Sequence, residues 1–489
     1  MNAETGTAGV RQQQQNFLGH PRMLWVLLAV AVGFNFAFYG FRAFLAPYVQ
    51  GAVFGYLPHD QAIQHADLLF NSFGVLLYAC PIIGGWVADN VLGKVQSLRI
   101  SLWLVIIGLL AMALPGELAF TMGLAFFIVA SALNIPMTVL VGMNYLNKND
   151  PKRDAGYTLY YMAINLGAVI APYVCATWVA ASYGYRWAFI AAAAGQALVA
   201  LIFEIWHRRM PDADEKPARR HGYSVPLVIA CCVILSYPCS LLLRHPFIIQ
   251  IIVYALIVAL ILYFAVVSLR RRDRVQSHRY LAFLILFIAL VVYWAWAVLS
   301  GSALNFFARD YVSAPFNFTL FQSFNPFFIL IFAIPLAVLW PWLDKRRINP
   351  STPRKFGIGL MLIALGYGVL VLADLYTVGG GGRIGWWSLL VYYLLSTLGE
   401  LALSPIGYAV VGKLVDPRDA SLAMGGWFAG VAVSYAIAGQ LAAMTTSGQN
   451  PGIGGYTHVF VLLFWVGLGV GVVYLIASPW IGKLMHGVR

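Results

Sequence analysis

Charge is what this sequence has least of. Only 10% of its 489 residues are Asp, Glu, Lys or Arg, against about 25% in soluble globular proteins. So few ionic groups cannot cover a water-facing surface of ordinary composition. That excludes a soluble enzyme, a nucleic-acid binder and a disordered scaffold. Cysteine is scarce too. The five, Cys80, Cys175, Cys231, Cys232 and Cys239, stand in apolar stretches without metal-ligand spacing. They read as inert core thiols, so no disulfide framework, metal site or cofactor is expected. Residues 1–22, with the run Gln12–Gln15, contain no short apolar core ending in a cleavable small-residue site. They read as a solvated tail and not as a signal peptide.

What is present is apolar length. Hydrophobic residues make up 61% of the chain and the mean hydropathy is +0.78. At about 20 residues per span this supplies about fourteen membrane helices. Apolar windows fall near 23–47, 68–88, 97–116, 119–146, 156–181, 186–206, 223–243, 246–268, 280–306, 319–342, 356–376, 386–412, 420–444 and 457–482. They are too long and too continuously apolar for the ten-residue alternation of an outer-membrane barrel. The expected fold class is an all-α membrane protein.

The net charge of +13 is a topology signal. Numbering the loops alternately from the tail puts 26 Lys and Arg on one side and only Arg186, Arg244, Arg309 and Arg383 on the other, with Arg42 inside the first span. A missed helix would scramble that separation. By the positive-inside rule both termini are expected in the cytoplasm. No nucleic-acid partner is needed to explain the excess; membrane lipid is the partner of the basic face.

The longest mid-chain polar break is 207–222, and a second basic break follows at 269–279. Between them lie two spans with almost no polar side chains, which read as lipid-packed accessory helices. The expected division is a tail at 1–22, a six-helix bundle at 23–206, an inserted pair at 223–268 and a second six-helix bundle at 280–482. Six plus two plus six is the layout of a major facilitator transporter, whose halves rock around a midplane site.

An ionisable group inside hydrocarbon is costly, so each one is a candidate site. Glu400 sits near the middle of 386–412, and Arg42 lies within the first span. Either could instead serve structure, Glu400 in an ion pair and Arg42 by snorkelling to the interface. Glu117, Glu204 and Asp374 fall near span ends and read as interfacial. No histidine lies mid-span, which argues against a histidine proton relay. Tyr39, Tyr78, Tyr161, Asn165, Gln322, Asn325 and Trp427 add polar and aromatic groups; amides at such depths either line a cavity or bond between helices. Pro81, Pro136, Pro172, Pro326, Pro335 and Pro405 free backbone carbonyls inside spans and permit bending.

Some of these residues stand in recognisable runs. Tyr78-Ala79-Cys80-Pro81-Ile82-Ile83-Gly84-Gly85-Trp86-Val87-Ala88-Asp89, followed by Leu92-Gly93-Lys94, resembles a major facilitator loop signature. Asn149-Asp150-Pro151-Lys152-Arg153-Asp154-Ala155-Gly156 leads into Tyr160-Tyr161-Met162-Ala163-Ile164-Asn165-Leu166-Gly167-Ala168. Phe321-Gln322-Ser323-Phe324-Asn325-Pro326, Gly399-Glu400-Leu401-Ala402-Leu403-Ser404-Pro405-Ile406-Gly407 and Met424-Gly425-Gly426-Trp427-Phe428 complete the set. Together they resemble the proton-dependent oligopeptide transporter family, in order from about residue 30 to 445, and the inserted pair is itself a bacterial trait of that family.

The resemblance implies a peptide cavity built from Tyr39, Tyr78, Asn165, Asn325, Glu400, Ser404 and Trp427, to which the residues themselves add Arg42, Tyr161 and Gln322. A short peptide is a zwitterion: Glu400 would pair its amino end, Arg42 its carboxylate, and aromatic walls would tolerate varied side chains. The chain also departs from the family. Where the family has Glu-x-x-Glu-Arg-Phe-x-Tyr-Tyr-Gly, this sequence has Ala31, Phe34 and Asn35 in place of the three charged residues. Ile135 replaces a lysine ahead of Pro136, and Val298 replaces a glutamate. Those groups form the family's proton-coupling apparatus. Coupling is therefore expected to be altered or lost, with Glu400 the remaining carboxylate to titrate, and an unpaired Arg42 would favour an anionic group on the substrate.

The expected function is secondary transport of di- and tripeptides or peptide-like solutes across a bacterial cytoplasmic (inner) membrane, with protons as a possible co-substrate and a monomer as the working unit. A non-peptide organic anion or amino-acid conjugate is the alternative cargo, and a non-transporting sensor the alternative class. An enzyme is not expected, since the chain has neither a suitably spaced acid pair nor a His-Glu-x-x-His run nor a nucleophile motif.

Overall fold

A computed structural model of the chain describes residues 16–145, 151–211, 217, 221–270, 273–378, 383–416, 419–447 and 452–488. The tail up to residue 15, Asn149 and Asp150 of the basic-loop run, and parts of the 207–222 and 269–279 breaks lie outside the described residues. Among the described residues fourteen helices are long and apolar enough to cross a membrane. They are α1 (Arg22–Val53), α2 (His59–Leu92), α3 (Lys94–Met112), α4 (Glu117–Met143), α5 (Lys152–Tyr183), α6 (Tyr185–Arg209) and α7 (Ser224–Arg244). Then follow α8 (Pro246–Ser268), α9 (Arg274–Gly301), α10 (Phe318–Lys345), α11 (Thr352–Thr377), α12 (Trp387–Val411), α13 (Leu422–Thr446) and α14 (Ile453–Leu484). A helix satisfies its backbone polar groups within itself, which is why apolar length becomes helix here.

Three boundaries differ from the hydropathy reading, each for a local reason. α2 starts at His59 and not near 68, because its first turns carry His59, Asp60, Gln61, Gln64, His65 and Asp67, which an apolar window discards. α9 starts at Arg274, where the Asp273 side chain caps it by accepting the Val275 N–H at 2.9 Å. The run expected to continue to 306 breaks at Ser302, whose φ of −117° and ψ of −103° leave the helix, and a separate helix Ala303–Tyr311 begins. Pro81 and Pro136 interrupt α2 and α4, since neither can donate to the helical ladder.

α1 packs on α5 and α6, and α3 on α4 and α6; in the C-terminal part α11 packs on α12 and α14, and α9 on α13. The two groups meet mainly through α2 against α13 and α5 against α10. α7 lies on α4, while α8 lies on α9 and α13. Ile251, Ile252, Leu256, Val258 and Leu262 of α8 remain exposed, as suits a helix that faces lipid.

An even number of crossings places both described ends on one face of the molecule, called the terminal face below. The opposite face is shut by hydrogen bonds between the two groups of helices. Asn305 Nδ2 donates to the Ala43 carbonyl at 2.9 Å, Arg309 Nη1 to Gln50 Oε1 at 2.9 Å, and Ser323 Oγ to the Val169 carbonyl at 2.8 Å. The Thr177 and Thr319 hydroxyls meet at 3.1 Å. Toward the terminal face a cavity of about 630 Å³ stands open, lined by residues including Trp86, Asp89, Ile135, Thr138, Tyr160 and Phe428.

Candidate functional site

The terminal-face cavity leads to a smaller chamber of about 140 Å³, with Phe38, Tyr39, Tyr78 and Ile164 lining both. Eight of the ten residues expected from the sequence line that chamber: Tyr39, Arg42, Tyr78, Tyr161, Asn165, Gln322, Asn325 and Glu400. They arrive from α1, α2, α5, α10 and α12, helices that are distant in sequence.

Arg42 is buried on α1. Its Nη1 donates to Gln322 Oε1 at 3.2 Å, and the guanidinium lies 5.7 Å from the Tyr39 ring centre and 5.4 Å from that of Phe70. Gln322 is itself held by donating to the Ser300 carbonyl. Among the described residues no carboxylate stands within ion-pair distance of Arg42; Arg99 with Glu204, Arg244 with Glu117 and Arg309 with Asp310 are pairs formed elsewhere. Its positive charge is offset by an amide and by ring faces, both weaker than an ion pair.

Glu400 stands across the chamber on α12. Asn325 Nδ2 donates to Glu400 Oε2 at 2.9 Å and to Thr397 Oγ1 at 3.0 Å. The position of α12 is fixed by a glycine contact. A Cβ on Gly399 would come 2.7 Å from the Gly359 carbonyl oxygen, and one on Gly359 would come 2.9 Å from that of Gly399. Only paired glycines allow α11 and α12 this approach.

Ser404 and Trp427 do not line the chamber. Ser404 is buried one helical turn beyond Glu400, with no hydrogen-bond partner for its hydroxyl. Trp427 is 1% exposed, packed 6.1 Å from the Phe283 ring and 6.3 Å from the Phe287 ring, and against Gly407. Its ring fills the interior of the C-terminal group of helices.

Other residues line the chamber that the sequence reading passed over, among them Trp294, Tyr392, Tyr393, Ser396 and Tyr435. A signal existed for three of them: Ser396, Tyr393 and Tyr392 precede Glu400 by four, seven and eight positions, one face of a helix. Tyr435 stacks on Tyr78, with ring centres 5.6 Å apart. The positions where charge was missing also map to this space. Phe34, Asn35 and Ile135 line the terminal-side cavity and Val298 the chamber, while Ala31 is buried. Arg42 and Glu400 are then the chamber's charged side chains, with Asp89 in the outer cavity. Among the described residues no group of His, Cys, Asp and Glu could hold a metal ion, and all five cysteines are free.

The profile of the POT family matches residues 100–459 of this sequence. The chain belongs to the POT family. It is 31% identical over 97% of its length, and of the relative's, to an uncharacterized transporter, YclF, of Bacillus subtilis. It is 31% identical to the peptide transporter YePEPT of Yersinia enterocolitica, covering 90% of each chain. A di-/tripeptide transporter of Lactococcus lactis is 28% identical over 98% of this chain and 99% of that one. The helical arrangement is shared with a solved mutant of a POT peptide transporter in complex with alafosfalin, at a TM-score of 0.83, 29% identity and coverage of 97% and 98%. It is also shared with a POT family transporter in complex with 5-aminolevulinic acid, at a TM-score of 0.82, 28% identity and coverage of 96% and 98%. This POT protein is thus a fourteen-helix transporter of major facilitator architecture, in the bacterial cytoplasmic membrane, and not an enzyme.

Proposed function

We propose that this POT transporter moves di- and tripeptides or peptide-like zwitterions by alternating access, between a six-helix bundle at 23–206 and another at 280–482, with both termini in the cytoplasm. The observation that carries the reading is the chamber itself, with one cation, Arg42, and one carboxylate, Glu400, on separate groups of helices and phenols and amides between them. Arg42 takes the carboxylate end of the substrate and Glu400 the amino end, because each lacks an opposite charge of its own in a low-dielectric space. Tyr39, Tyr78, Tyr161, Asn165, Gln322 and Asn325 hold its backbone. The closed far face and open terminal face describe the conformation that releases cargo inward.

Proton coupling by the family's usual route is altered or lost, since Ala31, Phe34, Asn35, Ile135 and Val298 cannot carry a proton or form the corresponding ion pairs. Glu400 is the cavity carboxylate that takes part in whatever coupling remains. The protein works as a monomer. Its outcome is tested by counterflow: purified protein in liposomes preloaded with an unlabelled dipeptide should take up labelled dipeptide. Absence of exchange for every dipeptide and tripeptide tried would end the peptide reading.

A second cargo class has one observation in its favour. A related solved transporter is in complex with 5-aminolevulinic acid, a single amino acid. Compact amino-acid-like zwitterions or conjugates are the alternative, and they belong in the same counterflow panel.

A further inference from the structure

Asp67 lies near the start of α2, on the closed half of the molecule, away from the chamber. It is 0% exposed, and among the described residues neither carboxylate oxygen has a hydrogen-bond partner. One helical turn on, Asn71 is 2% exposed. Its Nδ2 is used, donating to the Asp67 main-chain carbonyl at 2.8 Å, and its Oδ1 is left without a donor. Residues four apart on a helix are neighbours. Two buried acceptor groups therefore stand side by side with nothing between them to donate.

An ionised carboxylate in that place has no hydrogen bond among the described residues to replace its lost hydration. One proton resolves both deficits. It neutralises Asp67 and turns a carboxylate oxygen into an O–H donor, and the Asn71 amide oxygen, one helical turn away, is an acceptor without a donor among the described residues. A metal ion is a poorer fit, because no second carboxylate, His or Cys joins Asp67 in a ligand group among the described residues.

The surroundings tie the pair to gating. α2 makes its main contact across the two groups of helices with α13, and Asn71 packs on Gly439 of α13. The far face cannot open without parting that contact. Titratable or charged groups on the neighbouring elements are Tyr48 of α1, Glu117 of α4, Arg244 of α7, Tyr254 of α8, Tyr435 of α13, Tyr456 of α14 and Arg309, Asp310 and Tyr311 of the short helix. α2 itself adds His59, Asp60 and His65. Arg309 and Tyr456 are near enough to act on Asp67. Arg309 is already engaged, by Asp310 at 2.7 Å and Gln50 at 2.9 Å, and Glu117 faces Arg244 at 3.4 Å.

We propose that Asp67, with Asn71, is a proton-binding site of the far-face closure: it takes up a proton when α2 and α13 part and holds it while they are shut. Written as a balance, one proton from the far-side solution binds one carboxylate oxygen, and no other bond changes. The site rests on the transport reading above, and makes closure of the far face depend on the pH of the far-side solution, since the proton exchanges only with that solution and is not carried across.

The test uses Asp67→Asn in the full-length protein. In proteoliposomes, wild-type dipeptide counterflow should change as the pH of the far-side solution is varied, and the variant should keep counterflow but lose that dependence. A pH dependence equal to the wild type would overturn the proposal. Difference infrared spectroscopy supplies a measurement that needs no substrate. The wild type should show the carbonyl band of a buried protonated carboxylic acid at neutral pH, absent in Asp67→Asn; a band unchanged in that variant would also overturn it. Should Asp67→Asn fail to fold, Asn71→Ala must shift the band by removing the acceptor, and an unshifted band counts against the site. A wild type without any counterflow would sink the peptide reading alone, because the band still decides Asp67.

Discussion

Asn325 spends both protons of its amide on α12, one on the Glu400 carboxylate at 2.9 Å and one on the Thr397 hydroxyl at 3.0 Å. The carboxylate is therefore held in a fixed orientation while one of its oxygens stays free to meet a substrate ammonium.

That arrangement separates charge from shape in a measurable way. Glu400→Gln keeps the volume and still accepts from Asn325, but removes the negative charge. Affinity for a free dipeptide should fall by about tenfold or more, the scale of a hydrogen bond to a charged group. Affinity for an N-acetylated dipeptide, which brings no ammonium, should change little. Competition assays against a labelled substrate read both. Equal losses for the two ligands would remove Glu400 as the ammonium site.

Arg42 gives the mirror-image prediction. Its guanidinium is positioned by Gln322 and by the Tyr39 and Phe70 rings, a planar arrangement that a lysine ammonium does not reproduce. Arg42→Lys should weaken dipeptide binding by about tenfold despite keeping the charge, and C-amidated dipeptides should be insensitive to it. Isothermal titration with the two ligand forms checks this. An Arg42→Lys variant that binds both as the wild type does would show that the charge acts only at long range.

Gly359 and Gly399 make a prediction about folding. An alanine methyl at either position would meet a backbone oxygen 2.7–2.9 Å away, which cannot rotate aside as a side chain could. Overpacking of this kind costs about 1–3 kcal/mol. Gly399→Ala should lower the melting temperature in detergent by several degrees. It should also impair transport, since Glu400 moves with the displaced helix. A melting temperature within error of the wild type would mean α11 and α12 separate freely.

How much of this was legible in the sequence depended on the type of signal. The fourteen spans followed from apolar length, and Arg42, Asn325 and Glu400 stood out because each is polar inside an apolar run. Asp67 escaped for the opposite reason. It belongs to a polar segment that hydropathy assigns to a loop, and only the packing of α2 on α13 buries it. Tyr435 also escaped, since one phenol among 26 tyrosines carries no mark until a partner such as Tyr78 stacks on it. Trp427 failed in the other direction. Its family run placed it correctly on α13, but a motif does not specify which face of a helix looks into the cavity.

Asp419 provides a stability prediction distant from the chamber. It accepts from the Tyr263 hydroxyl at 3.1 Å and from the buried Tyr280 hydroxyl, joining α8 and α9 to the start of α13. Asp419→Ala removes an acceptor shared by two phenols, a loss of about 1–3 kcal/mol. Tyr280→Phe removes one bond and its polar atom together, and should cost about 1 kcal/mol. Thermal unfolding should therefore rank the wild type above Tyr280→Phe and Tyr280→Phe above Asp419→Ala. The reverse order of the two variants would mean that the Tyr280 hydroxyl contributes more than its bond to Asp419.

Trp427 and Tyr78 allow the boundary of the chamber to be tested directly. The family resemblance implied a place in the cavity for both, yet Tyr78 lines the chamber and Trp427 is enclosed by Phe283, Phe287 and Gly407. Trp427→Phe keeps an aromatic ring in an aromatic cluster and removes an indole N–H that has no partner. Little binding energy depends on it, so KM should stay within about twofold of the wild type while stability changes modestly through the smaller ring. Tyr78→Phe deletes the hydroxyl of a residue that lines the chamber and should raise KM by about fivefold, the value of one neutral hydrogen bond. If Trp427→Phe instead raised KM more than Tyr78→Phe did, the indole would have to turn into the chamber during the cycle. The C-terminal group of helices would then have to repack around α13, because Phe283, Phe287 and Gly407, which enclose the ring, all belong to it.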